Sequence, residues 1–149
     1  MDNQKNRLEG KAFEEVFKNQ SQSCGLLCIQ NKLTAKHIPG GRMLVEKSNL
    51  DFTIANQRGK VAFVDTKSFV GSSFCCSEIN PSQVERAVLY NDFSIPSGFV
   101  VLFRRDKMVC FYTGKQVQAG HNRSFHPHDG LYLGLLWKFD LSLILDKTT

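Results

Sequence analysis

The chain has 149 residues, enough for one domain with a real hydrophobic core and short for two. Its 42% hydrophobic and 22% charged residues are ordinary for a globular protein and exclude disordered and fibrous classes. A formal net charge of +5, from 19 Lys and Arg against 14 Asp and Glu, favours a polyanionic partner without requiring one.

Cys24, Cys28, Cys75, Cys76 and Cys110 are odd in number and lack the paired C-x2-C spacing of a zinc site. With a polar N-terminus unlike a signal peptide, they point to a reducing cytoplasm rather than a secreted disulfide framework. No apolar run approaches the roughly 20 residues that span a bilayer, since Lys138 and Asp140 interrupt the apolar C-terminal segment. The expectation is a soluble protein with no membrane partner.

In chain order, Leu8, Ala12, Phe13, Val16 and Phe17 recur at the helical period and predict a helix over 7–19 with one apolar stripe. Glu14 and Glu15 fall within it and read, on composition alone, as solvated surface acids. A short strand is expected over 26–30. Residues 32–47 carry Lys32, Lys36, His37, Arg42 and Lys47 around Pro39-Gly40-Gly41 and predict a mobile loop or protruding hairpin. It is either a DNA-contacting arm, because clustered cations meet phosphates without sequence specificity, or a solvated basic loop.

Residues 50–67 organise the rest. Strands over 51–55 and 60–67 flank the polar connection Asn56-Gln57-Arg58-Gly59, which has hairpin length and composition. Residues two apart on a strand share a side, so Asp65 and Lys67 project together, and the fold-back brings Asp51 beside them. Two adjacent carboxylates repel and call for added positive charge, which a hard divalent cation supplies through oxygen ligands. A lysine beside such a cation can orient or deprotonate water or stabilise charge on a phosphate oxygen, a set suited to phosphodiester hydrolysis. Arg58 and Lys60 join Lys32, Lys36, Arg42 and Lys47 as candidate DNA contacts.

Residues 68–77 read as a loop crossing this site. Asn80-Pro81-Ser82-Gln83 then starts a helix expected to run to about Tyr90, with Asn80 as N-cap and Pro81 at the first helical position. Gln83 has two possible jobs: closing a capping box on Asn80, or serving the acid-lysine site. Apolar runs over 98–103 and 108–112 around Arg104-Arg105-Asp106-Lys107 predict a hairpin of well-covered strands. His121, His126 and His128 lie in a Gly-, Asn- and Pro-containing segment with Arg123 and Asp129; His126-Pro127-His128 offers imidazoles to a transition metal, but without strict zinc spacing the expectation is a surface loop that can touch DNA. Residues 131–145, with Trp137, read as core or a subunit interface, base stacking by Trp137 being a minor alternative.

Asp51 followed by Asp65-x-Lys67 resembles the PD-(D/E)xK nuclease signature, with Leu50 standing where that family often has Pro. The ordered set Glu14, Asp51, Asp65-x-Lys67, Gln83 and a strand led by Gly98 extends the likeness over about 7–112, and Gly10-Lys11-x-Phe13-Glu14 is similar to the N-terminal helix of Holliday-junction resolvases of the RecU and Hjc type. The resemblance implies an α/β fold, a restriction-endonuclease-like central mixed β-sheet flanked by helices, in a single domain over 1–149. It implies a DNA endonuclease using Mg²⁺ or Mn²⁺ held by Asp51 and Asp65 with Glu14 and the Thr66 carbonyl, Glu15 being the alternative to Glu14. Lys67 would position the attacking water, and Gln83 would orient water or phosphate.

The implied substrate is branched DNA, a four-way junction cut by paired nicks from a homodimer. The implied setting is the nucleoid or cytoplasm of a bacterial or virus-infected cell. Two alternatives stay open: a related nuclease of flaps, ends or duplex, and a non-catalytic DNA-binding protein on the same fold.

Overall fold

The structure, a computed structural model, describes residues 2–31, 35–38, 42–45 and 50–147. Helix α1 (Asp2–Ser23) is longer than the 7–19 window, with Gln4, Lys5, Gln20 and Gln22 the good helix formers among the added residues. It ends where Gly25 adopts φ +73° and the Leu26 N–H closes on the Ser21 carbonyl at 2.9 Å.

The strands in chain order are β1 (Leu27–Gln30), β2 (Ala35–Ile38), β3 (Arg42–Val45), β4 (Phe52–Ala55), β5 (Val61–Phe69), β6 (Phe74–Cys75), β7 (Ser97–Phe103), β8 (Met108–Thr113), β9 (Ser124–Phe125), β10 (Leu131–Leu135) and β11 (Lys138–Phe139). Seven of them form a mixed sheet in the order β1-β4-β5-β7-β8-β10-β11. Every pairing in it is antiparallel except β5 with β7, which run parallel because α2 (Pro81–Asp92) carries the chain back between them. The β2–β3 hairpin stands as its own two-stranded sheet, and β6 pairs with β9 in another.

Strand alternation divides the apolar residues between two cores. On one side Phe13 and Phe17 of α1 pack with Phe52, Ile54, Ala62, Val64, Val100 and Leu102, joined by Ile144 and Leu145 of α4 (Ser142–Lys147). On the other, Phe99, Val101, Phe103 and Tyr112 pack under α2 and α3 (Gly114–Gly120) through Ala87 and Val117. All seven residues of β7 are buried, which explains why its sequence is a continuous apolar run rather than an alternating one. A Cβ on Gly114 would lie 2.6 Å from that of Ala87, so only glycine lets α3 pack this closely on α2.

Two segments differ from expectation. The 68–77 stretch is not a free crossing loop: β5 continues through Ser68 and Phe69, and Phe74 is buried, stacked 5.0 Å from Phe69 and 5.3 Å from Phe125. Helix α3 was not anticipated, although Thr113 and Gln116 satisfy each other's backbone N–H groups in a capping box. At the C-terminal end, β10 and β11 extend the sheet while α4 returns to the α1 side, which leaves Trp137 64% exposed.

Candidate active site

The site is set by strand register. Phe52 pairs with Val64, so one step further Asp51 faces Asp65, and the Asp51 N–H donates to Asp65 Oδ1 at 3.2 Å. The second oxygen of Asp65 accepts from Lys67 Nζ at 2.8 Å, two residues along the same side of β5. Lys67 Nζ also donates to Gln83 Oε1 at 2.9 Å, linking the strand to the first turn of α2. Asp65 is 1% exposed, so its charge is held in the interior by one ammonium and one backbone donor.

Gln83 does not close the helix cap. Asn80 Oδ1 accepts from the Ser82 N–H at 2.9 Å, and the Gln83 side chain turns towards the sheet instead. Lysine has only donors, so Gln83 must present its carbonyl oxygen to it, and the amide NH₂ stays available to another acceptor.

Asp51 is held by a residue that the sequence did not mark. The Asn31 N–H donates to the Asp51 carbonyl at 2.6 Å, its side-chain amide donates to the Leu50 carbonyl at 2.9 Å, and its Oδ1 accepts from Thr53 Oγ1 at 3.3 Å. Asn31 therefore ties the end of β1 to the start of β4. A polar residue just past a strand was the only available signal, because Leu50 lies 19 positions away.

Burial, the Asp65 charge and hydrogen bond, and then Glu14 push the Asp51 carboxyl up from 3.8 to about 7, with Lys67 opposing them. The Glu14 carboxyl is also raised, first by burial and then by Asp65. Glu15, by contrast, is exposed and pairs with Lys18 at 3.1 Å on the outside of α1. Three carboxylates thus repel one another around a single lysine, a set of hard oxygen donors of the kind that suits a hard divalent cation. Glu14, Asp51 and Asp65 are not drawn as close as 4.8 Å all round; among the described residues only His126, His128 and Asp129 bring three ligand atoms that near. Thr66, between Asp65 and Lys67, pairs with Val100.

The candidate DNA contacts divide by position. Arg58 and Lys60 are exposed at the turn end of the β4–β5 hairpin, opposite the Asp51 end, and Lys60 Nζ donates to the Leu145 carbonyl at 3.4 Å. The structure therefore does not bring these two to the carboxylates. Lys36 lies on β2 and Arg42 on β3, paired antiparallel with Ile38 opposite Arg42; Lys32 and Lys47 lie outside the described residues.

No protein-family model matches the chain, and no curated protein matches it in sequence. Among solved structures it is similar to Hjc of Archaeoglobus fulgidus, a Holliday junction resolvase from an archaeal hyperthermophile, with a TM-score of 0.56 over 83% of this chain and 95% of that one. The chain has a restriction-endonuclease-like fold. Sequence identity over the match is 17%, so the likeness is one of architecture: a restriction-endonuclease-like mixed sheet flanked by helices. A shared fold does not by itself dictate chemistry, which must be argued from the side chains.

Proposed function

We propose that this chain is a metal-dependent DNA endonuclease that resolves four-way junctions by paired nicks. The observation that carries the reading is the chain of contacts from Asp51 through Asp65 and Lys67 to Gln83, beside the raised Glu14 carboxyl, on a fold similar to that of a resolvase. Asp51 and Asp65, with Glu14 and the Thr66 carbonyl, are the residues that would hold Mg²⁺ or Mn²⁺. When bound, such a cation supplies Lewis-acid polarisation of the phosphoryl group and makes water more acidic.

The protein's own groups do the positioning. Two of the Lys67 ammonium hydrogens go to Asp65 and Gln83, which aims the third at an attacking water or a non-bridging phosphate oxygen. The Gln83 amide NH₂ donates to the same phosphate or water. Water attacks phosphorus in line with O3′ and gives up a proton to solvent, the P–O3′ bond breaks, O3′ takes a proton from solvent, and a 5′-phosphate remains. The β2–β3 hairpin, with Lys36 and Arg42, is the element we assign to backbone phosphate contact.

A homodimer would set two such sites on opposed strands of a junction. The test is cleavage of a four-way junction labelled on each strand in turn, beside linear duplex and flap substrates. The reading expects symmetrical nicks in two strands of the junction and little cutting of the others. Preferential cutting of duplex or flaps keeps a nuclease and discards the junction; binding without cutting in Mg²⁺ or Mn²⁺ makes the chain a DNA-binding protein.

A further inference from the structure

The geometry points to a second metal site, formed by His126, His128 and Asp129, that takes a divalent transition-metal ion of the zinc, cobalt or nickel class. The ligand atoms of these three residues all lie within 4.8 Å of one another. His126 Nδ1 stands 3.7 Å from Asp129 Oδ2, and His128 Nε2 stands 3.6 Å from Asp129 Oδ1. Metal–nitrogen and metal–oxygen bonds of about 2.0–2.2 Å in a tetrahedral site place neighbouring ligands roughly 3.3–3.5 Å apart, so closure needs only small side-chain shifts.

The backbone beneath these ligands is held from three directions. Tyr112 Oη of β8 donates to the His126 carbonyl, Cys110 Sγ meets the Pro127 carbonyl at 3.6 Å, and Gln116 Nε2 of α3 donates to the Asp129 carbonyl at 3.3 Å. Pro127 fixes the turn between the two histidines, whose rings lie 5.4 Å apart and within 13° of parallel. The Asp129 carboxylate is oriented by the His126 N–H at 2.8 Å and Arg123 Nη2 at 3.2 Å, contacts that leave lone pairs on both oxygens.

Capping of this short 3-10 turn accounts for Asp129 and for His126, whose side chains face each other's backbone N–H groups, and it does not account for His128 beside the same carboxylate. Donor chemistry separates the two sites: imidazole nitrogen favours zinc, cobalt, nickel and copper over magnesium, whereas the Asp51–Asp65 end offers oxygen alone. Three protein ligands leave a coordination position open, and His128, with 79% of its side chain exposed, leaves it facing solvent. A water or an outside nitrogen or oxygen donor completes the shell.

The test is a Co²⁺ titration followed by visible absorption, with excess Mg²⁺ occupying the oxygen-donor end, on wild type, His128→Gln and Asp129→Asn. Isothermal titration with Zn²⁺ runs in parallel. The exposed position of His128 makes its variant a fold-neutral probe, and Asp129→Asn keeps an acceptor for the His126 N–H. One Co²⁺ per chain is expected, with affinity about 10-fold or more weaker in each variant. Equal binding by wild type and His128→Gln overturns the proposal, as does no binding at all. A sulfur-to-cobalt charge-transfer band that survives His128→Gln also overturns it, moving the ion to the half-exposed Cys75 and Cys76. Because the readout is metal binding, the result stands whether or not the junction-cleavage reading holds.

Discussion

The two ends of the β4–β5 hairpin are made by the same pair of strands and treat polar groups in opposite ways. At the turn, Asn56 Oδ1 accepts from the Arg58 and Lys60 N–H groups, both at 3.0 Å, and Gly59 takes the φ of +83° that closes the loop. These bonds all close within five residues. At the open end, Asp51 and Asp65 are pressed together, Glu14 adds a third negative charge, and Lys67 answers only part of it. A hairpin can close its turn with its own bonds, while charge gathered at its open end is left for a ligand to neutralise.

The comparison is broken most severely at Lys67. Lys67→Met should lower junction cleavage by about 10³-fold in single-turnover assays and, by stranding Asp65 in the interior, cost about 3 kcal/mol in denaturant unfolding. Gln83→Ala frees the Lys67 ammonium without removing a charge, so kcat should fall by about 10- to 100-fold with KM nearly unchanged. Equal loss in KM would instead make Gln83 a substrate-binding group.

The charge crowding also sets a pH dependence. The Asp51 carboxyl holds its proton more tightly folded, with a pKa of about 7, than unfolded, near 3.8. Its contribution to stability is therefore largest at low pH and is lost as pH rises between those values. Thermal unfolding without divalent metal should show this decline, Asp51→Asn should flatten it, and Mg²⁺ should restore stability most at neutral pH, where the carboxylate is ionised. The smallest effect belongs to the turn: Asn56→Ala should cost about 1 kcal/mol in thermal unfolding and leave junction cleavage unchanged.

Legibility in the sequence follows the same division. The hairpin, the alternation that aims Asp65 and Lys67 together, and the meeting of Asp51 with Asp65 depend on neighbours in the chain, and the register of Phe52 with Val64 realises them. Gln83 could not be assigned from spacing, because an N-cap three residues earlier accounts equally well for a glutamine there; only the Lys67 contact decides. Asn31 was invisible because its partners are brought by the fold. Helix α3 was obscured by Gly114 and Gly120 at its ends, although its cap lay in plain view at Thr113 and Gln116. The histidine pair was legible, and the approach of the Asp129 carboxylate to one nitrogen of each ring was not, because the 3-10 turn sets it.

The central claim is that the Asp51–Asp65–Lys67 end is a metal-dependent phosphodiesterase centre. It is tested most directly by incubating a labelled four-way junction with wild type and Asp65→Asn, each in Mg²⁺ and in EDTA. The account predicts cleavage by wild type in Mg²⁺ alone, with Asp65→Asn folded, able to bind the junction and at least about 10³-fold slower. Cleavage that persists in EDTA, or in Asp65→Asn at the wild-type rate, would contradict it.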